Sequence, residues 1–222
     1  MGILCGLGFW QLHRAEFKRT LITQYENRYQ SEPQRLITDG PSLAQYAWLQ
    51  VEGEFDNQHP LLLENKFHHH QFGYHLLLPL KINGTDQHFL INLGWLSGVN
   101  GREELPELPK ITGPQRLTGF LYYPKQGLTM GDAFEIKSTW PKRIQYYGFP
   151  EMTKQLAYPL LPYVLLLDSE HPQGLVREWQ PVTVPPERHL GYAVQWFLLA
   201  AALLTVYFFV CLEKKDLSDE QD

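Results

Sequence analysis

Histidine is the residue type in this sequence that could do chemistry, and two of its placements stand out. Of nine histidines, three stand together as His68-His69-His70, and another, His189, directly precedes a long apolar stretch. Neutral imidazole is a common ligand of transition metals. The run therefore raises the possibility of a metal site, and the isolated residue that of a cofactor ligand.

The His68-His69-His70 run lies at the mouth of a predicted hairpin, between Asn-Lys-Phe at 65–67 and Gln-Phe-Gly at 71–73. A metal site needs ligands that converge from separate elements, usually with help from a carboxylate or a thiolate. The run by itself supplies a single segment. We interpret it as a solvated loop, with adventitious metal binding as the alternative.

His189 falls in the first turn of a predicted membrane helix, with Tyr192 and Trp196 at i+3 and i+7 on the same face. A metal-capable side chain at a membrane boundary is a functional-site candidate, although an interfacial histidine is also tolerated there. Position alone leaves both interpretations open. Ala193 and Ala200 flank this face and leave room for a planar cofactor or a neighbouring helix.

The apolar stretch that follows His189 in the sequence predicts a transmembrane helix over 188–212. A polar tail over 213–222 follows this helix. Residues 190–212 carry no charge and are bounded by Arg188 and Glu213. As a helix they would extend roughly 34 Å, more than the roughly 30 Å of a hydrocarbon core. A core helix of a soluble protein is seldom apolar on every face.

The N-terminal segment is apolar over residues 1–12 but would reach only about 18 Å as a helix. A secretory signal would require a basic region before the apolar run, and none is present here. We expect residues 1–30 to be an incomplete first transmembrane helix with a polar helical exit. Two spans would leave both termini on one side of the membrane, and the basic residues do not decide which side.

Residues 31–187 predict an extramembrane domain of short antiparallel strands, closed like a barrel or sandwich-like. Strands are expected over 49–55, 116–123 and 163–168, and a short helix over 150–157. Residues 76–82 and 88–93 predict a hairpin, because Asn83-Gly84 between them suits a tight turn. The fold class is thus a mostly β membrane protein with helices.

Several function classes find no support in the composition. A formal charge of −5 argues against nucleic acid as a partner. The only cysteines, Cys5 and Cys211, lie in the apolar end segments, so the domain between them has no thiol for a disulfide or a copper site. Hydrolase, phosphate-binding, dinucleotide-binding and zinc-protease motifs do not occur, so we expect a protein that is not an enzyme.

Blocks at both ends of the chain resemble the Surfeit locus protein 1 family. The run Arg-His-Leu-Gly-Tyr-Ala-Val-Gln-Trp-Phe at 188–197 resembles the C-terminal signature of the family. The run Leu-Gly-Phe-Trp-Gln-Leu-His-Arg at 7–14 resembles its exit from the first helix. Blocks between them follow in the order that the family has.

Within the domain, Gly-Glu-Phe-Asp at 53–56 resembles a strand end of this family, and 73–79 with Asn-Leu-Gly-Trp at 92–95 resembles its hairpin. Two positions depart from the pattern. Leu93 stands where the family has arginine, and Leu78 where it has threonine. Any role of that arginine is therefore not carried over to this chain.

The resemblance implies a multi-pass protein of the bacterial inner membrane, with its β domain in the periplasm, that assists the assembly of aa3-type cytochrome c oxidase. It implies as partners the catalytic oxidase subunit, haem a synthase and membrane lipid. It also implies transient binding of haem a for delivery to that subunit, with His189 as axial ligand of the haem iron. Tyr192, Trp196 and Trp10 are then the aromatic residues expected at the haem site.

Two further possibilities accompany this reading. His13 leaves the first helix on the membrane side from which His189 enters the second, so the two could ligate one iron from opposite sides. Alternatively, the protein binds no cofactor and is a scaffold that stabilises an oxidase assembly intermediate. Trp10, Trp196 and the face of small residues would then be protein contacts.

Overall fold

The computed structural model describes residues 2–27, 31–36, 43–99, 104–124, 139–179, 182 and 184–219. Residues 28–30 of the predicted polar exit and 220–222 of the predicted tail lie outside this part. The chain divides into a helical unit, Met1–Tyr29 with Gln180–Asp222, and a β unit, Gln30–Trp179. In chain order the elements are α1 (Gly2–Glu26), β1 (Gln34–Arg35), β2 (Trp48–Phe55), β3 (Leu61–His68), β4 (Gln71–Ile82), β5 (His88–Ser97), β6 (Gln115–Tyr122), β7 (Lys142–Ile144), α2 (Phe149–Leu156), β8 (Leu160–Leu167) and α3 (Pro186–Asp219).

The β unit is built on a barrel-like core of five strands. Strand β2 pairs with β6, β6 with β8, β8 with β5, β5 with β4, and β4 again with β2. The circuit thus closes on itself, which removes the exposed strand edges that an open sheet would have. Its interior is apolar because β2 alternates buried with partly buried residues and β5 is buried along almost its whole length.

The pairing of strands corrects the antiparallel prediction in part. The hairpin of β4 and β5 is antiparallel as predicted, and Gly84 in its turn has a φ of 77°. However, β5 runs parallel to β8, and the short strands β1 and β7 run parallel to β2 and β3. Parallel neighbours need a long connection, which β6, β7 and α2 provide between β5 and β8.

A bulge in β5 lies beside the segment that follows β8. The β4–β5 register shifts between Leu76 and Leu77, where Gly94 adopts a φ of 115°. A Cβ at Gly94 would lie 2.6 Å from the carbonyl oxygen of Val176. Glycine is needed here because this backbone conformation is strained for other residues and because the second segment passes so closely.

The helical unit contains one helix, among the residues described, that is long and apolar enough to cross a membrane, Pro186–Val210 within α3. Its helical conformation continues to Asp219. The predicted C-terminal membrane helix is thereby supported, while a second span through α1 stays a prediction. Helix α1 is continuous from Gly2 to Glu26, in agreement with the prediction that the apolar N-terminal segment continues into a polar helical segment.

Candidate functional site

Helices α1 and α3 meet along a seam of small residues. Gly8 and Ala15 are buried on α1, and Ala193 and Ala200 are buried on α3, each pair seven residues apart. A Cβ at Gly8 would lie 2.6 Å from the ring of Phe197, so only glycine leaves room for that side chain. The small face that the sequence left open to a cofactor or to a helix is therefore filled by a helix.

His189 lies in this unit with its two ring nitrogens in different environments. Its Nδ1 is 2.7 Å from Oε1 of Gln11 on α1. Because an amide oxygen only accepts, Nδ1 carries the proton and donates it to Gln11. Its Nε2 is buried and has no hydrogen-bond partner among the described residues. In the neutral form of the ring, this bond leaves the free lone pair on Nε2.

A surface hollow of about 390 Å³ lies on the same helix pair, lined by Gln11, Tyr192, Gln195, Trp196 and Leu199. Tyr192 and Trp196 were expected at the site from their helical spacing, and the structure brings both to this hollow. Gln11 lines it and also bonds His189. The hollow and the histidine are therefore linked through one side chain.

The other two predicted residues, Trp10 and His13, lie elsewhere on α1. Trp10 is 57% exposed, and neither residue lines the hollow. At about 100° per residue, His13 lies about 200° around the helix from Gln11, and its side chain is exposed. The face of α1 that bonds His189 therefore presents Gln11, a residue that the sequence gave no reason to single out beyond its place in the block at 7–14.

This arrangement fits an axial ligand of haem iron. Metal-bound histidines almost always donate their second ring N–H to a carbonyl or carboxylate, which fixes the tautomer and strengthens the ligand. The Gln11 oxygen has that position, and the orphaned Nε2 of His189 would be the donor atom to an iron. The adjoining hollow, with one tyrosine and one tryptophan, offers aromatic surface to a macrocycle.

In the β unit, two polar residues of the family-like blocks, Asn92 and Asp56, have structural partners. The Asn92 amide nitrogen donates to Nδ1 of His75 and to the Tyr147 hydroxyl, at 3.2 and 3.4 Å, while its oxygen accepts from the Gly94 amide at 3.1 Å. Asn92 is 1% exposed. It thus holds the β5 bulge from inside.

Asp56, which ends the other block, accepts hydrogen bonds from His59 at 2.6 Å and from the Tyr158 hydroxyl at 2.9 Å. Burial alone would raise the pKa of this carboxyl, but these bonds, with one from the Gln58 amide, lower it. The aspartate therefore fastens the end of β2 to the segment before β8. These two hydrogen bonds hold the two segments together, and among the described residues they involve no nucleophile that would indicate catalysis.

Leu93, which stands where the family pattern has arginine, has a simple structural role. Its side chain is fully buried within the apolar core. An arginine in this position would need a charged partner or a path to solvent. Leucine instead contributes to the packing of the barrel, so this chain has no arginine function here.

The predicted solvated loop at His68-His69-His70 is wrong in part. His68 is the last residue of β3 and is partly buried, whereas His69 and His70 form the exposed turn to β4. The Nδ1 atom of His68 lies 3.7 Å from Oε2 of Glu178. No pattern near the run identified that glutamate, which is more than a hundred residues away in the sequence.

Comparisons with known proteins agree on one family. The sequence model described as the SURF1 family matches residues 1–201. The chain is 22% identical to a SURF1-like protein of Monosiga brevicollis over 92% of this chain and 82% of the relative. It is 24% identical to Surfeit locus protein 1 of Mus musculus, over 91% and 70%, and 25% identical to a SURF1-like protein of Rickettsia bellii, over 92% and 85%.

Proposed function

Since the chain belongs to the SURF1 family, we propose that it is a membrane-bound, non-enzymatic assembly factor of cytochrome c oxidase that holds haem a for the catalytic subunit. The observation that carries the haem part is the hydrogen bonding of His189, whose Nδ1 is bonded to Gln11 while Nε2 has no partner among the described residues. Haem a is a cargo in this proposal, and the oxidase is its destination.

The proposed membrane arrangement has two spans. Pro186–Val210 is apolar enough to cross by itself, and α1 packs on it along Gly8, Ala15, Ala193 and Ala200. Small residues at such a seam are typical of helices that associate within a bilayer. The β unit would then lie on the periplasmic side of a bacterial inner membrane, where the catalytic subunit and haem a synthase are the partners we propose.

The histidine is suited to hold this cargo and to release it again. A neutral imidazole gives haem iron a good axial ligand, and the hollow on the same helix pair offers the rings of Tyr192 and Trp196 to the macrocycle. A haem with an apolar tail would partition beside a membrane helix. Binding by one protein ligand leaves the other axial position of the iron for the acceptor.

The test is the optical spectrum of the detergent-purified chain after co-expression with haem a synthesis. We expect a haem a signal in the wild type and in His13→Ala, and its loss in His189→Ala, with circular dichroism showing that all three are folded. His13 is the matched control because it is an exposed histidine of the same helical unit. Haem retained by folded His189→Ala would contradict the ligand assignment.

A cofactor-free scaffold is the second candidate, and one observation favours it. The small-residue seam is filled by Phe197 and the facing helix, so it offers no slot for a macrocycle between the helices. Exposed Phe9 and Trp10 on α1 would then contact oxidase subunits. Absence of haem from every folded variant, together with loss of assembled oxidase when Trp10 is changed to alanine in cells, would favour the scaffold.

A further inference from the structure

Three potential metal ligands, all in the β unit, meet at the tip of the β3–β4 hairpin. One nitrogen each of His68 and His69 and one carboxylate oxygen of Glu178 lie within 4.8 Å of one another. The Nδ1 atom of His68 and Oε2 of Glu178 are 3.7 Å apart. Ligands bound tetrahedrally to zinc at about 2.0–2.1 Å would be about 3.4 Å apart. Small rotations of the exposed His69 and Glu178 side chains would bring the ligands to this spacing.

The hairpin itself fixes two of these ligands. His68 and Gln71 form the last pair of the β3–β4 ladder, so His69 and His70 are the two residues of the turn. Their φ angles are 46° and 65°, as a two-residue type I′ turn requires at both central positions. Asparagine and glycine are the usual residues at these positions, and histidine is among the other residues that tolerate a positive φ.

The third ligand is brought in by a different part of the chain. Trp95 in β5 exchanges backbone hydrogen bonds with Val176, at 2.7 and 3.2 Å, and this bridge holds the strand-like segment that carries Glu178. Gly94 makes the approach possible, as described above. Glu178 therefore stands two residues from a fixed backbone pairing.

Trp95 also positions the first ligand. Its indole N–H donates to the Lys66 carbonyl oxygen at 3.2 Å, and its ring lies 5.1 Å, centroid to centroid, from the ring of His68. One tryptophan thus supports β3 through its side chain and the Glu178 segment through its backbone. The convergence of ligands from separate elements, which the sequence did not reveal, is present in the fold.

We propose that His68, His69 and Glu178 form a binding site for a divalent transition metal, with Zn²⁺ as its occupant. Two imidazoles and one carboxylate are a donor set that zinc accepts, and it leaves the fourth position to water. The carboxylate offsets one of the two charges of the ion. A bound ion would join the hairpin tip to the segment that follows β8. This site is independent of haem binding.

The neighbouring His70 provides a matched control. It occupies the second position of the same turn with the same sign of φ, and it is not part of the cluster. His69→Gly and His70→Gly both suit a type I′ turn, so neither is expected to unfold the hairpin. Glu178→Gln keeps the size of an exposed side chain and removes its charge.

The test is a titration of the full-length chain, without a histidine tag and in detergent, with Zn²⁺ against a chromophoric chelator. We expect one zinc per chain, a loss of affinity of at least tenfold in His69→Gly and in Glu178→Gln, and unchanged affinity in His70→Gly. His189→Ala should also bind normally, which separates this site from the proposed haem ligand. Equal weakening in His69→Gly and His70→Gly, or no saturable binding in the wild type, would overturn the proposal.

A second readout guards against an effect on folding alone. An ion that binds only the folded state raises the melting temperature in proportion to the logarithm of its concentration over Kd. Zinc should raise the melting temperature of the wild type and of His70→Gly but not that of His69→Gly. Equal shifts in all three proteins would place the bound zinc elsewhere and refute the assignment.

Discussion

The Nδ1 atom of His189 on α3 donates a hydrogen bond to Oε1 of Gln11 on α1, across 2.7 Å. The two residues are 178 positions apart, and each lies in a block that resembles the same family at opposite ends of the chain. The bond fixes which ring nitrogen is free. The bond therefore assigns a role to Gln11 on α1, which is to position the histidine on α3.

Removal of the Gln11 oxygen should weaken haem a binding without abolishing it. Outer partners of metal-bound histidines are typically worth 10- to 100-fold in affinity. We expect a loss of about this size in Gln11→Leu, whereas Gln11→Glu keeps an acceptor, retains affinity and shifts the reduction potential downward. Haem titration with potentiometry measures both. Equal affinity in Gln11→Leu and the wild type would show that the bond does not position His189.

The helix seam predicts a contrast between two glycines of α1. Gly8→Ala places a methyl group 2.6 Å from the ring of Phe197, whereas Gly6→Ala meets nothing within 4 Å. Overpacking of this kind costs about 1–3 kcal/mol. Thermal melts in detergent should therefore show a lower melting temperature for Gly8→Ala and an unchanged or slightly higher one for Gly6→Ala. Identical melts would mean that α1 and α3 separate in the solubilised protein.

Local signals in the sequence predicted the strands and helices better than they predicted which strands pair with each other. The β4–β5 hairpin followed from Asn83-Gly84, and Tyr192 and Trp196 shared a face with His189 because of helical spacing. The pairing that closes the barrel, β2 with β4, and the parallel pairing of β5 with β8 leave no local trace, since they depend on long connections.

The site residues divide in the same way. Gln11 becomes part of the proposed haem site only through a hydrogen bond to His189, and Glu178 joins the histidine run only because Val176 pairs with Trp95. Neither has a neighbour in the sequence that indicates its role. The His68-His69-His70 run was interpreted as a loop because its third ligand belongs to a distant segment.

We expect Asn92 to contribute to the stability of the β unit and not to haem a binding. Its side chain bonds His75, Tyr147 and the Gly94 amide from a position 1% exposed. Replacement by alanine leaves buried polar groups unpaired, at about 1–3 kcal/mol each. Urea unfolding of Asn92→Ala should show this loss, while haem a binding by the folded fraction stays normal. A cost below about 0.5 kcal/mol would show that water replaces the side chain.

His75 predicts how the stability of the chain depends on pH. Burial, helped by the positive charge of Lys66, lowers the pKa of His75 to about 3. In the unfolded chain a histidine titrates near 6.5, so between these values the unfolded state holds the extra proton. The contribution to stability is complete above pH 6.5 and is lost as the pH falls toward 3, by up to about 1.4 kcal/mol per pH unit. We expect the free energy of unfolding of His75→Gln to fall less steeply than that of the wild type between pH 7 and 5. Parallel slopes would show that His75 is protonated in the folded protein.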